Sequence, residues 1–159
     1  MTDTQKIAWH HFMFQVPADW EVTAYSVEER FGRLEFGTRK GFRGLVSWEE
    51  CKHEPDAETM MLSFLRKHAG FEDESLKPSS ARNLSTSKSG IFLTGAYGPH
   101  SPLQALAYLH EKKKLIRWVF PAGDASPTDK SICSILESFA LNDGPSIEYA
   151  IFGFRFLLP

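Results

Sequence analysis

The chain has 159 residues, of which 42% are apolar and 24% are charged, and its formal net charge at pH 7 is −2. This is the composition of an ordinary globular domain, and the slight negative charge argues against a nucleic-acid-binding protein, which would carry a basic surface. Because no segment has the roughly 18 apolar residues of a membrane span and no secretory signal is recognisable, we expect a cytoplasmic protein without membrane contact.

The N-terminal part of the chain predicts a flexible segment followed by strands. Residues 1–8 are polar and are expected to be flexible. Residues 9–16 are rich in aromatic side chains and stop at Pro17, which cannot donate a hydrogen bond to a neighbouring strand. A weaker alternation of apolar and polar residues predicts another strand over 20–27.

A hairpin is the clearest prediction, with strands over 33–39 and 42–51. Apolar and polar residues alternate in both segments, and Lys40-Gly41 between them suits a tight turn. On the second strand, this alternation assigns four residues to a common face: Phe42, Gly44, Val46 and Trp48.

The first helix is predicted to begin at Pro55 and to end before Gly70. Proline suits the first helical position, and glycine suits the residue that follows the last turn. Apolar residues recur between them at helical spacing and predict one buried stripe. Its members are Ala57, Met60, Met61, Phe64, Leu65 and His68.

More strands follow a polar connector over 71–80. Four segments have strand-like patterns: 81–88, 90–98, 102–111 and 114–120. Because the connections between them are short, the strands are expected to be antiparallel neighbours. One connection contains Lys112-Lys113-Lys114, a basic run that is expected to form a hairpin turn in water.

The second helix is predicted to begin with Ser126 as its cap and Pro127 at the first helical position. Asp129 completes a capping box with the serine. The apolar stripe of this helix consists of Ile132, Ile135, Leu136 and Phe139.

A final apolar strand is predicted within 146–159. Its residues 154–159 repeat the pattern Phe-x-Phe-x-(Val or Leu)-Pro of residues 12–17. An apolar strand of this kind needs a pairing partner, because a loose one would aggregate. It is therefore expected to be the start of a second repeat, or else an edge or exchanged strand.

The order of these elements is β-β-β-β-α-β-β-β-β-α-β. Each helix has one apolar stripe and must lie on a sheet. The sequence therefore predicts a single α+β domain over 9–145, with one antiparallel sheet covered by two helices.

This element order, together with a few aromatic residues, resembles the PsbP-like fold. Phe14, Pro17 and Trp20 match the opening of that fold, and Phe139 matches its closing turn. The fold is shared by photosystem II extrinsic subunits, Ran-binding Mog-type import factors and bacterial Mog/PsbP-like proteins, some of which are adaptors for secreted toxins. The resemblance covers 9–140 and implies a fold, a PsbP-like sandwich, but no activity.

No catalytic, metal-binding or cofactor motif is recognisable, so the leading interpretation is a non-catalytic binding or adaptor module with a protein partner. An open antiparallel sheet presents a face or an edge to such a partner. The candidate contact residues lie on the central hairpin: Arg39, Arg43, Trp48 and Glu50.

Two alternatives stay open. A small hydrolase or metal-assisted enzyme could use Cys51, His53 and Glu50, since residues two apart on a strand share a face. However, zinc needs four ligands, or three and a water, and no further ligands have matching spacing. The other alternative is a structural subunit of a homodimer that shares the strand within 146–159.

Overall fold

The computed structural model describes residues 3–9, 11–68, 85–89, 91–96, 102–123 and 127–141. Within them, ten strands and two helices form an α+β protein with antiparallel sheets. The strands are β1 (Thr4–Trp9), β2 (Phe12–Pro17), β3 (Glu21–Val27), β4 (Phe31–Thr38), β5 (Gly41–Glu50), β6 (Ser85–Ser89), β7 (Phe92–Ala96), β8 (Leu103–Leu109), β9 (Lys114–Phe120) and β10 (Ala140–Leu141). The helices are α1 (Ala57–His68) and α2 (Asp129–Ser138).

The chain divides into two compact units, each with its own sheet. The first unit combines Met1–Trp20 with Thr128–Pro159, and its three-stranded sheet has the order β1-β2-β10. The second unit is Glu21–Pro127, and its seven-stranded sheet has the order β3-β4-β5-β9-β8-β7-β6. Helix α2 packs on β2, whereas α1 packs on β7 and β8. The prediction of one sheet covered by both helices is therefore wrong.

The first unit starts with a hairpin where the sequence predicted a flexible segment. Strand β1 pairs with β2 along its whole length, so the chain reverses between Trp9 and Phe12. Ile7 and Trp9 are buried and alternate with more exposed neighbours, which is the pattern of a strand with one buried face. The expectation of flexibility over 1–8 is therefore wrong from residue 4 onward, and the predicted strand over 9–16 spans parts of two strands.

Three phenylalanines connect the end of α2 to β2. The ring of Phe139 lies 5.4 Å from that of Phe12 and 5.9 Å from that of Phe14, measured between centroids. The backbone N–H of Gln15 donates a 2.8 Å hydrogen bond to Oγ of Ser138, at the last turn of the helix. Stacked rings and a shared hydrogen bond thus fix this helix end on the small sheet.

Both helices begin at a side-chain cap, but not at the predicted residues. Oγ1 of Thr128 accepts a 3.2 Å hydrogen bond from the N–H of Ser131, so Thr128 caps α2. Oδ1 of Asp56 accepts one of 3.2 Å from the N–H two residues ahead, at the start of α1. Pro55 thus precedes the cap instead of occupying the first helical position, and Ser126 lies outside the described residues.

In the second unit, α1 covers part of one face of the seven-stranded sheet. Met61 is fully buried against Leu106 of β8, and Met60 and Phe64 pack around them together with Leu93 of β7. The predicted apolar stripe is therefore confirmed for Met60, Met61 and Phe64, whereas its first member, Ala57, is exposed.

Two hairpin turns of this sheet lie at or next to the positions that the sequence predicted. Arg39 and Lys40 connect β4 to β5, one residue earlier than predicted, and Gly41 begins β5 with a positive φ of 115° that suits glycine. The turn between β8 and β9 contains the basic run, but Lys114 already belongs to β9 and is only 8% exposed. Its Nζ lies 4.2 Å from the centroid of the Trp48 ring, a cation–π contact, so the expectation of a solvated lysine is wrong there.

Several predicted features lie outside the described residues. They are the side chains of Leu65 and His68, Gly70, the connector over 71–80, and the final strand within 146–159.

Candidate functional site

The two faces of the seven-stranded sheet differ in how they are used. One face carries large side chains that are almost completely buried: Leu34, Phe36, Val46, Trp48, Ile116, Trp118 and Phe120. The residues between them point to the other face, because side chains alternate along a strand. On that second face α1 covers the β7 and β8 side, and the β4, β5 and β9 side forms an open groove.

We call this depression the sheet groove. Its volume is about 520 Å³, which lies in the usual range for binding sites. It is lined by Phe31, Arg33, Glu35, Phe42, Leu45, Ser47, Pro102, Arg117, Val119, Pro121 and Ala122. Most of these residues are apolar, and three carry charge.

Strand register explains how distant parts of the sequence meet on the floor of the groove. Ser47 of β5 lies opposite Arg33 of β4 on one side and opposite Arg117 of β9 on the other. The next row, two residues along, joins Glu35, Leu45 and Val119 in the same way. The floor therefore has one polar row and a second row that is apolar on β5 and β9 but charged on β4.

Phe42 reaches the groove because of a β-bulge. The pairing of β4 with β5 shifts between Phe36 and Gly37, so that Phe36 lies opposite Gly44 and Gly37 lies opposite Phe42. The extra residue on β5 is Arg43, and the shift moves Phe42 to the face of Leu45. Phe42 is 40% exposed there, so the prediction that it shares a face with Gly44 and Trp48 is wrong.

Arg117 is the most unusual residue of the groove. Its Nε donates a 3.0 Å hydrogen bond to Oε1 of Gln104, and its guanidinium carbon lies 3.9 Å from the centroid of the Phe64 ring. Nη2 is buried and has no hydrogen-bond acceptor among the described residues. No carboxylate of the described chain forms an ion pair with Arg117, so its positive charge has only neutral direct contacts.

Burial lowers the pKa of Arg117, and this effect outweighs the opposite effect of Glu49 at longer range. Arg33 adds a smaller lowering through like-charge repulsion. The guanidinium nevertheless stays charged at neutral pH, because the pKa of arginine is so high that a reduction leaves it protonated.

The other two charged side chains of the groove neutralise each other. Nη2 of Arg33 contacts Oε1 of Glu35 in an ion pair, with both residues on the same face of β4. Among the residues that the structure describes, the groove thus contains one internal ion pair and one cation without an ion pair. The described part of its lining contains no histidine, cysteine or lysine.

A shallower depression extends the groove towards the edge of the sheet. It has a volume of about 190 Å³ and shares Arg33 and Glu35 with the groove, while Ala24, Tyr25 and Ser26 of β3 form its other side. Tyr25 is 40% exposed on this edge strand. The accessible surface therefore runs from β9 to β3, across four strands.

The four residues that the sequence suggested as a contact surface do not lie together. Arg39 is exposed in the hairpin turn, and Nε of Arg43 donates a 3.2 Å hydrogen bond to Oγ1 of Thr38. Trp48 is 1% exposed, so it cannot be a contact residue. Glu50 lies at the other end of β5 and forms an exposed ion pair of 3.8 Å with a neighbouring arginine.

The residues of the alternative enzyme site do not form a catalytic arrangement in this structure. The Cys51 thiol donates a 3.0 Å hydrogen bond to the backbone carbonyl of His53, and the His53 side chain is exposed. Within the described part of the chain, no three histidine, cysteine, aspartate or glutamate side chains are grouped so that they could hold a metal ion. Neither α1 nor α2 is long and apolar enough to cross a membrane.

Sequence reasoning missed Arg117, although the sequence contains a signal for it. Arg117 is a charged residue with apolar residues on both sides in strand β9, and such a residue has to be explained by a partner or a function. Its neighbours in the groove could not be found in this way, because they come from β4 and β5, far away in the chain.

Comparisons with known proteins give a distant structural likeness only. The sequence matches no protein-family model and no curated protein sequence. It is similar to a crystal structure from Bacteroides thetaiotaomicron VPI-5482, with 12% sequence identity and a TM-score of 0.45. The match covers 90% of this chain and 50% of that one, so the chain spans about half the length of that protein.

Proposed function

We propose that this protein is a non-catalytic binding or adaptor module that holds a segment of a protein partner in the sheet groove. The observation that carries the proposal is the groove itself. It is an open, largely apolar depression of about 520 Å³ on the half of a sheet face that α1 leaves uncovered. Exposed apolar surface of this kind is retained at sites of interaction.

The shape of the surface favours an extended segment over a compact ligand. The groove and the shallower depression share Arg33 and Glu35, so the surface continues to the exposed edge strand β3. A peptide backbone could follow this path and place side chains among Phe31, Phe42 and Leu45. Arg39 and Arg43, in and next to the turn that leads to Phe42, are proposed as further contacts.

The proposal also includes a fold family, the PsbP-like fold, and a cellular location, the cytoplasm. The PsbP-like fold is supported by the sequence resemblance. Two of the residues that carry this resemblance, Phe14 and Phe139, have stacked rings. A cytoplasmic location is supported by Cys51 and Cys133, which are both free thiols, as is usual in a reducing compartment.

A selection from a library of random short peptides tests the proposed function. Wild-type protein is expected to enrich a set of related peptides. Ser47→Trp places a large ring on the groove floor and should abolish that enrichment. Ser63→Trp, at an exposed position of α1 outside the groove, is the matched control and should select the wild-type set. Equal selection by all three proteins would show that the groove is not the site.

A further inference from the structure

We propose that the bound segment carries one carboxylate between apolar side chains, and that this carboxylate pairs with Arg117. The inference rests on the proposed function, since it specifies what the sheet groove recognises. It names an acidic side chain within an extended apolar peptide as the occupant.

Charge complementarity is the first argument. Of the three charged residues in the groove, Arg33 and Glu35 form an ion pair and cancel. Among the described residues, Arg117 has a neutral amide and an aromatic ring as its direct contacts, and Glu49 acts on it only at longer range, so Arg117 is a cation of the groove without an ion pair there. A monoanion balances it, whereas a phosphate group with its higher charge would need a second free cation.

The hydrogen-bond inventory of Arg117 is the second argument. One of its five N–H donors is used by Gln104, and Nη2 has no acceptor among the described residues. A buried donor without an acceptor is costly, and a guanidinium in a low-dielectric site attracts an anion more strongly than one in water. Arg117 lines the groove, so a carboxylate bound there gains a charge-assisted contact with the guanidinium.

The surroundings of Arg117 decide what must flank the carboxylate. Val119 and Leu45 form the adjoining row of the floor, and Phe31 and Phe42 are the aromatic residues of the lining. A free inorganic anion would leave these apolar side chains in contact with water. Apolar side chains on either side of the acid would cover them, which favours a peptide such as a Glu or Asp between Leu, Val or Phe.

The test uses the sequences of the selected peptides and then one matched pair. Wild-type protein should enrich peptides in which a single acid lies between apolar residues. For one such peptide, replacing its acid by the corresponding amide should weaken binding by about tenfold or more, as measured by fluorescence anisotropy. This comparison changes only the peptide, so the fold of the protein cannot affect the outcome.

Arginine substitutions provide the second half of the test. Arg117→Gln should bind the acidic peptide about tenfold more weakly, and should no longer distinguish it from the amide form. Arg30→Gln, at an exposed position outside the groove, is the matched control and should keep both properties. Thermal unfolding of each variant checks that it is folded.

The possible results separate this inference from the proposed function. The selected peptides could depend on the groove but lack an acid, or the acid and amide forms of one peptide could bind equally well. Either result would support a binding module but would overturn the pairing of Arg117 with a carboxylate. Failure to select any peptide would contradict the proposed function as well. If free phenylbutyrate then bound in an Arg117-dependent manner, the occupant would be a small carboxylate and the peptide proposal would be wrong.

Discussion

The indole ring of Trp48 occupies the space above Gly32, its direct partner on the neighbouring strand. A Cβ atom placed on Gly32 would overlap Nε1 of the indole and would lie 2.6 Å from Cε2. Trp48 is 1% exposed and also lies under the ammonium group of Lys114. Only glycine at position 32 therefore leaves room for the ring in its observed position.

Gly32→Ala is expected to destabilise the protein by about 1–3 kcal/mol, because the indole must move within a closely packed interior. Denaturant unfolding measures this loss. In a Trp48→Phe background the same substitution should cost less, since the smaller ring lacks the overlapping atoms. An equal cost in both backgrounds would contradict the overlap as its cause.

Gly41→Ala should lower the free energy of unfolding by about 1 kcal/mol or more. The reason is conformational, because Gly41 has a φ of 115° and a side chain there would be strained even though the space around it is open. Lys40→Ala, at the neighbouring exposed turn position, should change stability by less than about 0.5 kcal/mol. Similar effects of both substitutions in denaturant unfolding would disagree with this explanation.

Thr128→Ala is expected to cost about 1 kcal/mol, since it removes the side-chain oxygen that accepts the N–H of Ser131. Thr128→Ser keeps that oxygen and should retain most of the stability. Circular dichroism during thermal unfolding gives both values. If the serine variant lost as much stability as the alanine variant, the cap would not be the cause.

Arg117→Met combined with Gln104→Leu should stabilise the protein by about 1–2 kcal/mol and abolish binding of the acidic peptide. The two polar side chains have a buried Nη2 and a buried Nε2 without partners in the described chain, and apolar replacements remove that cost. Loss of stability in calorimetry would mean that the pair is retained for folding instead of recognition.

Glu35→Gln should tighten binding of the acidic peptide severalfold. It releases the Arg33 guanidinium from its ion pair and so adds a second cation to the groove. The gain should be largest at low ionic strength, where screening is weakest. Glu29→Gln, an exposed change outside the groove, serves as control. A gain that does not respond to salt would point to a cause other than charge.

The hairpin of β4 and β5 illustrates what could be predicted about the fold and the site. Alternation located both strands, and Lys40-Gly41 located the turn between them to within one residue. The bulge at Arg43 was not predictable, because it depends on how the two strands pair and leaves no mark on the alternation itself. The bulge places Phe42 in the lining of the groove, where it is available for binding.

The buried face of β5 also shows what the sequence could and could not predict. Val46 and Trp48 were placed on one face by alternation, and both are buried. However, Trp48 was also proposed as a contact residue, since a sequence does not say which face of a strand is covered.

The amino-acid sequence by itself determined much of the local structure of this protein: the β4–β5 and β8–β9 hairpins and most of the apolar stripes of both helices, but not the β1–β2 hairpin. These features follow from the periodicity of side chains and from the backbone preferences of glycine and the capping residues, which act over a few residues. Only the tertiary structure decided that the strands divide into two sheets, and that Arg117 meets Arg33 and Glu35 beside apolar side chains. That arrangement depends on the pairing of β5 with β9, whose hydrogen bonds connect segments separated by more than half of the second unit.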